Sequence, residues 1–352
     1  MALKTGALDI AALQAATNVS AIEFGQENIA QVLAADNAAF SAVVADMLSD
    51  LAETTSERQR LVGNSLGGNA VEVDEYGNGP TQKDVPGYFV GFPLRRIQFP
   101  IGWTNQFLKN ATPADLAVRN NIAQGAHLRR ARYELQRAIY TPTNSTFVDH
   151  LVDKASLPVK AMINADSTAM ANGPNGETFD GSTHTHYDGA SSLTAAGITA
   201  LINDVAEHRN GATVRVCINI ADVAAFSVLS GFVPFQAPYV NLNTAANQPS
   251  ERLDITKLDN RQIGWFGAAE VWTKPWAVAN YAVAYDYSAP AKPFVRRVET
   301  NDRGMHIAAT FESHPLVAEF VEWFHGFGAW NRTALAVLKF NNSTYSAPTL
   351  SY

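Results

Sequence analysis

YFVGFPLRRIQFPIGW, Tyr88 to Trp103, packs Tyr88, Phe89, Phe92, Phe99 and Trp103 around two prolines, Pro93 and Pro100. An internal proline removes a backbone donor and clashes with the preceding turn, so this stretch is not a helix. Its aromatic and branched residues favour an extended chain. It follows DEYGNGPTQKDVPG, a polar run rich in turn residues that reads as an exposed loop tip. A strand-like AVEVDEY precedes that tip, so Leu61 to Trp103 reads as one extended excursion from the body of the chain. A greasy ribbon left in water is an aggregation hazard and needs a surface to cover it.

The segment after the ribbon is the best-signalled helix of the sequence. Thr112 suits the N-cap, Pro113 the first helical position, and Asp115 the first turn, where the helix dipole favours an anion. The helix is expected from Pro113 to Ile139, roughly 40 Å at about 1.5 Å per residue. Arginines crowd its second half, as the C-terminal dipole prefers. Before the ribbon, Met1 to Arg58 is Ala-rich and acidic, with Ile29, Val32, Leu33, Phe40, Val43, Val44 and Leu48 at near-helical spacing.

Beyond the long helix the pattern is mixed. Phe147 to Asp188 ends in NGPNGETFDGSTHTHYDG, read as a surface loop. SLTAAGITALINDVAEHR reads as a helix, ATVRVCINI as a buried strand, and ADVAAFSVLS as a short helix. NLNTAANQPSERLDI is expected to be loop, and IGWFGAAEVWTKPWAVANYAVAYDY to give two or three strands. FVRRVET and MHIAATFES are expected to pair as a hairpin across the turn NDRG. SHPLVAEFVEWFHGFG reads as a short helix and TALAVLKF as a closing strand. Helices and strands mix without regular βαβ alternation, so the fold class is α+β.

At 352 residues, with 47% hydrophobic and 17% charged residues, the chain has a globular composition. Its net charge of −7 does not mark the whole molecule as a nucleic-acid binder. The charge is uneven. Arg95 to Tyr140 holds eight cations against two acids, a net of +6, whereas Met1 to Arg58 holds two cations against eight acids, a net of −6. These segments are expected to attract each other, within one chain or between neighbours. Arg129, Arg130 and Arg132 are the cations expected to meet the acidic arm at positions such as Glu53 and Glu57. Cys217 is the one cysteine, so no intrachain disulfide forms, and its apolar strand makes it a buried structural thiol. No run approaches the roughly 20 apolar residues of a membrane span.

The sharpest metal-like cluster is His184-Thr-His186 with Asp188 nearby, since His-x-His beside carboxylates can hold zinc, iron or manganese. The Gly, Asn, Ser and Thr around it, and the lack of a third ligand at a recognisable spacing, favour a solvated loop. On that reading zinc or a chelator leaves stability unchanged, and no metal or cofactor is expected. No phosphate loop, dinucleotide fingerprint, nucleophile elbow or HExxH motif occurs.

Taken in order, these pieces resemble the major capsid protein of tailed bacteriophages, a fold shared with encapsulin nanocompartment shells. The resemblance covers nearly the whole chain and rests on the order and lengths of the elements. It implies an N-terminal arm (1–58), an extended β-hairpin loop (59–103), a peripheral domain with its long spine helix (104–140) and an axial domain (141–285). Peripheral strands (286–326) and a closing strand returning to the axial domain (327–352) complete it. It further implies a structural, non-enzymatic subunit that self-assembles through hexamers and pentamers into an icosahedral head shell in the host cytoplasm and ends in the virion. Scaffolding, portal and decoration proteins, and packaged double-stranded DNA held by non-specific contact, are the implied partners, with no membrane. Tyr88, Phe89, Phe92, Phe99, Trp103, Arg129, Arg130 and Arg132 are then expected to contact a neighbouring subunit. Two alternatives remain: an encapsulin-type shell, and a metal-dependent enzyme using the His184/His186 loop.

Overall fold

In the computed structural model, which describes residues 9–62, 70–79, 87–235, 260–313 and 316–352, the chain begins with three helices. These are α1 (Ile10–Ala15), α2 (Ala21–Phe24) and α3 (Gln26–Leu48). Two short strands follow, β1 (Ala52–Thr55) and β2 (Gln59–Val62), then β3 (Tyr88–Gly91), β4 (Arg95–Thr104), α4 (Asn105–Asn110) and α5 (Pro113–Tyr140). The cap expected of α5 is present: the Thr112 hydroxyl accepts from the Asp115 N–H and the Asp115 carboxylate accepts from the Thr112 N–H. Leu13, Ala21, Phe24, Ile29 and Val32 of the N-terminal helices close over Ala117 of α5. This part of the arm therefore packs on the long helix of its own chain.

β2 and β3 pair antiparallel, from Gln59 opposite Gly91 to Val62 opposite Tyr88, so the ribbon starts as the return arm of a hairpin. AVEVDEY is not a strand. Residues 70–79 have no ladder partner among the described residues, and the Asp74 carboxylate accepts from the N–H groups of Tyr76 and Asn78 in a local turn.

After α5 come the small ribbon β5 (Ser145–Val148) and β6 (Ser156–Val159), then β7 (Tyr187–Gly189), α6 (Ala195–Ala206) and β8 (Val214–Ile218). A 3₁₀ turn (Ile220–Asp222) leads to α7 (Val223–Ser227), β9 (Phe232–Pro234), β10 (Arg261–Phe266), β11 (Ala269–Thr273) and β12 (Tyr281–Asp286). The chain ends with β13 (Phe294–Arg297), β14 (His306–Ser313), β15 (Leu316–Ala329) and β16 (Leu335–Lys339). The expected loop NLNTAANQPSERLDI lies outside the described residues.

A seven-stranded sheet runs in the order β7-β16-β12-β8-β11-β10-β9. Ile198, Leu201 and Val205 of α6, with Phe226 of α7, cover one face. Leu135, Ile139 and Tyr140 at the end of α5 cover the other, against Cys217, Val283, Tyr285 and Val337. Strands buried on both faces read as continuous apolar runs, as YAVAYD and LAVLK do.

The second sheet corrects two expectations. SHPLVAEFVEWFHGFG is not a helix, because its residues from Leu316 form the 14-residue strand β15. Its β-branched and aromatic residues suit a pleated surface, and β15 is hydrogen-bonded on both sides. β4 runs along it from Thr104 opposite Leu316 to Arg95 opposite His325. FVRRVET and MHIAATFES are not a hairpin either. β13 pairs with the C-terminal part of β15 and β14 with its N-terminal part, so both use β15 and neither uses the other. β1 completes the sheet alongside β13. Gly326 is required where β15 passes Pro93: a Cβ there would stand 2.2 Å from the Pro93 carbonyl oxygen.

His127 of α5 is buried where the helix meets β15, its ring stacked 4.5 Å from Trp323 and 5.7 Å from His325. Desolvation, with a smaller push from the Arg296 charge, lowers its pKa from 6.5 to about 4. The unfolded chain therefore binds this proton first. Stability contributed by the neutral ring is complete above about pH 6.5 and is lost as pH falls toward about 4. We expect His127 alone to cost about 2 kcal/mol at pH 5 relative to pH 7. His127→Phe should show a correspondingly smaller fall in melting temperature over that interval, and an identical fall would place the acid sensitivity elsewhere.

Candidate functional site

The residues expected to reach a neighbour fall into three groups. Phe92 is fully buried with Val90 and Val295, beside Trp330. It belongs to the subunit's own core, which corrects its assignment as an inter-subunit contact. Tyr88, Phe99 and Trp103 are half-buried. Phe99 and Trp103 pack on a cluster of Ile101, Ala123, Met305, Val321 and Trp323, and Tyr88 lies under the Arg332 guanidinium. The long ladder to β15 thus covers most of the ribbon within its own chain. Phe89 alone of the five aromatics stands out, 51% exposed.

The arginines of α5 do not meet the acidic arm among the described residues. Glu53 and Glu57 pair with Arg60, three to seven residues away, because a short loop brings them together first. Arg130 pairs with Glu134 one turn on and lies 4.4 Å from the Tyr352 ring. Arg132 and Arg129 are exposed, Arg132 with a long contact of 3.5 Å to the Pro275 carbonyl. The arm and α5 instead join through amides: Asn120 and Gln124 donate to the Asp36 carboxylate at 2.9 and 2.7 Å.

Sequence reasoning missed the apolar groups left on the outer surface of these helices. Val43 and Met47 of α3 and Val118, Ile122 and Leu128 of α5 are between 41% and 58% exposed. Their spacing is legible, but which side of each helix the other elements leave bare is not. Met47 and Leu128 line a small apolar pocket of about 80 Å³ with Val44, Leu135 and Trp276, and a separate apolar groove of about 220 Å³ is lined by Leu33, Trp103, Leu116, Ile307 and Val317. β14 forms one side of the second sheet, with Ile307 and Phe311 exposed.

The His184 loop differs from its expectation. It is not simply solvated: His186 is fully buried, its N–H donates to the Ile163 carbonyl, and its own carbonyl accepts from Val337. Burial lowers His186 to a pKa of about 3 and His208 to about 4, so both rings are neutral at pH 7. Asp188, the carboxylate expected beside the histidines, acts on His184 through its charge and shares a hydrogen bond with Asp204, whose pKa burial and the Asp188 charge raise. The groups that do gather with the histidines are His208 and Glu207, at the C-terminal end of α6. Cys217 is buried as expected, and desolvation pushes its thiol up to about 12, which makes it inert.

The two-sheet α+β architecture around one long helix is shared over nearly its whole length with a solved phage structure. A chain from Mycobacterium phage Patience superposes with a TM-score of 0.68 at 17% identity, covering 99% of this chain and 96% of that one. The capsid of a native GTA particle overlaps less closely, with a TM-score of 0.49 at 13% identity over 83% of this chain and 89% of that one. No protein-family profile and no curated protein matches the sequence. Among the described residues no helix is long and apolar enough to cross a membrane.

Proposed function

We propose that this chain is a structural subunit that self-assembles into the icosahedral head shell of a tailed bacteriophage and encloses its double-stranded DNA. The observation that carries the reading, beside the fold, is the placement of the exposed apolar groups. Val43, Met47, Val118, Ile122 and Leu128 stand exposed on α3 and α5, and Met47 and Leu128 line a small apolar pocket to which both helices contribute. A monomer gains nothing from this surface, whereas a neighbouring copy buries it at about 25 cal/mol per Å² of apolar area. Repetition of one contact around closed rings, as hexamers and pentamers, then builds a shell from individually modest interfaces.

On this reading residues 1–58 are the arm, 59–103 the extended loop, 104–140 the peripheral domain with α5 as its spine, and 141–285 the axial domain. Residues 286–326 supply the peripheral strands and 327–352 the closing strand. Asp286 ends β12 in an ion pair with Arg209 at 2.6 Å, which fixes the chain where it leaves the seven-stranded sheet. The exposed Arg129 and Arg132 give the spine a surface for the acidic arm of another copy or for DNA phosphate. Scaffolding, portal and decoration proteins are the expected further partners, assembly takes place in the host cytoplasm, and the product is part of the virion. The role is structural and not enzymatic.

Negative-stain electron microscopy of the purified protein, after size exclusion, tests this directly. We expect hollow shells tens of nanometres across, or rings of five and six. Nuclease-protected DNA in particles recovered from infected cells separates a genome shell from an encapsulin enclosing cargo. A chain that stays monomeric at every accessible concentration, alone and with the scaffold candidates from its genome, overturns the reading.

A further inference from the structure

His184, His186 and His208 turn their Nε2 atoms toward one point. The separations are 3.2 Å (His184 to His186), 3.1 Å (His184 to His208) and 3.0 Å (His186 to His208). Glu207 brings Oε1 within 3.4 Å of the His184 nitrogen and 3.7 Å of the His208 nitrogen. All four atoms lie within 4.8 Å of one another.

Hydrogen bonding does not account for this triangle. Each Nε2 either carries a hydrogen or presents a lone pair. With three nitrogens in mutual contact, at least two must be in the same state. One edge therefore always sets lone pair against lone pair, or hydrogen against hydrogen, whatever the tautomers and charges. The Nδ1 of His186 lies 2.8 Å from the Leu335 carbonyl, which can only accept. That nitrogen carries the hydrogen, and the Nε2 of the neutral ring aims a lone pair into the cluster. A buried polar arrangement with a built-in repulsion calls for a missing partner, and a cation that accepts all three lone pairs removes it.

The dimensions suit a transition metal. Tetrahedral zinc with Zn–N of about 2.0–2.1 Å sets its ligand nitrogens about 3.3–3.4 Å apart, so small ring movements from the observed triangle admit the ion. Imidazole and carboxylate donors in a four-ligand set are typical of zinc, with cobalt and nickel as weaker alternatives by geometry. The surroundings resemble those of a metal centre. The His186–Leu335 hydrogen bond fixes one ligand ring from behind. The Phe179 ring, 5.0 Å from His184 and 4.3 Å from His208, shields two others.

We propose that His184, His186, His208 and Glu207 form a closed four-coordinate site for a divalent first-row transition cation, zinc foremost. Three histidines and a carboxylate leave no open position for a substrate, so the role is structural. The ion ties the segment entering β7, on one side of the seven-stranded sheet, to the residues that end α6. It staples the loop 164–186, which has little regular structure of its own, to the sheet. This reverses the expectation that metal leaves stability unchanged, and it does so because the fold supplies the third and fourth ligands twenty-odd residues downstream.

The test uses the full chain without a histidine tag, stripped with chelator, desalted, and titrated with zinc chloride. We expect one zinc per chain to survive desalting. The melting temperature should rise by about 4 °C at a hundredfold excess over Kd. His208→Asn should abolish retention, and Glu207→Gln should weaken binding at least tenfold. His150→Asn, at an exposed histidine outside the cluster, should change neither readout. Glu207 is partly exposed and the glutamine keeps its shape, so that variant folds even if His208→Asn does not. A folded, metal-free chain that binds no zinc overturns the proposal. So does zinc retention that Glu207→Gln and His208→Asn leave unaltered.

Discussion

Replacing residues 63–87 with Asn-Gly is expected to leave a folded subunit that forms no closed shells. Val62 and Tyr88 are direct cross-strand partners, so a two-residue turn joins them without altering the β2–β3 register. Asn-Gly adopts the type I′ turn whose twist matches such a hairpin. The cut must stop there. Val90, Phe92 and Leu94 are buried in the subunit, and a deletion that ran on to Leu94 would remove core instead of testing assembly. What is lost is the polar excursion that includes Val71, Val73 and Tyr76, all exposed, with Tyr76 at 81%. Circular dichroism and melting temperature should match the parent subunit within a few degrees, while electron microscopy and sedimentation show no particles. Normal particles from the shortened chain would remove the excursion from assembly and leave the helix surfaces of α3 and α5 as the contacts that matter.

The sequence made the local elements legible where a local signal exists. Thr112, Pro113 and Asp115 announced α5 because capping is decided within four residues. TALAVLKF reads as a strand because both faces are buried and the apolar run is unbroken, and ATVRVCINI because Arg215 alone interrupts the apolar run VRVCI. SHPLVAEFVEWFHGFG is misleading because a fourteen-residue strand is far longer than the usual five or six, and acids interleaved with aromatics imitate a helical period. The composition of the aromatic ribbon predicts an extended chain, which β4 is, but says nothing of the strand that covers it. The partner strand is more than two hundred residues away, and nothing local announces a pairing at that range. The same distance hid the histidine site. His184 and His186 were visible as a pair, but His208 and Glu207 join them only because α6 runs back toward the sheet edge.

Asp149→Ala is expected to be among the most destabilising single changes in the subunit, at about 3–5 kcal/mol, because it strands a buried guanidinium. Arg297 lies on β13, between β1 and β15 in the second sheet. Its side chain, 4% exposed, donates to the Asp149 carboxylate at 2.9 Å and to the Phe92 carbonyl at 3.0 Å. Asp149 follows β5 and is itself fully buried, so this one side chain ties the β5–β6 ribbon and the start of the aromatic stretch to the sheet. Removing the carboxylate leaves the charge with a carbonyl as its main partner. The double change Asp149→Leu with Arg297→Met removes both charges, and replacing a buried pair with apolar groups of similar size is often neutral. We therefore expect it to recover most of the loss. Denaturant midpoints should be taken in the 63–87 replacement, because a shell would add its own stabilisation by mass action. If Asp149→Ala costs less than about 1 kcal/mol, the pair behaves like a surface one, and the ladder between β4 and β15 must hold the ribbon by itself.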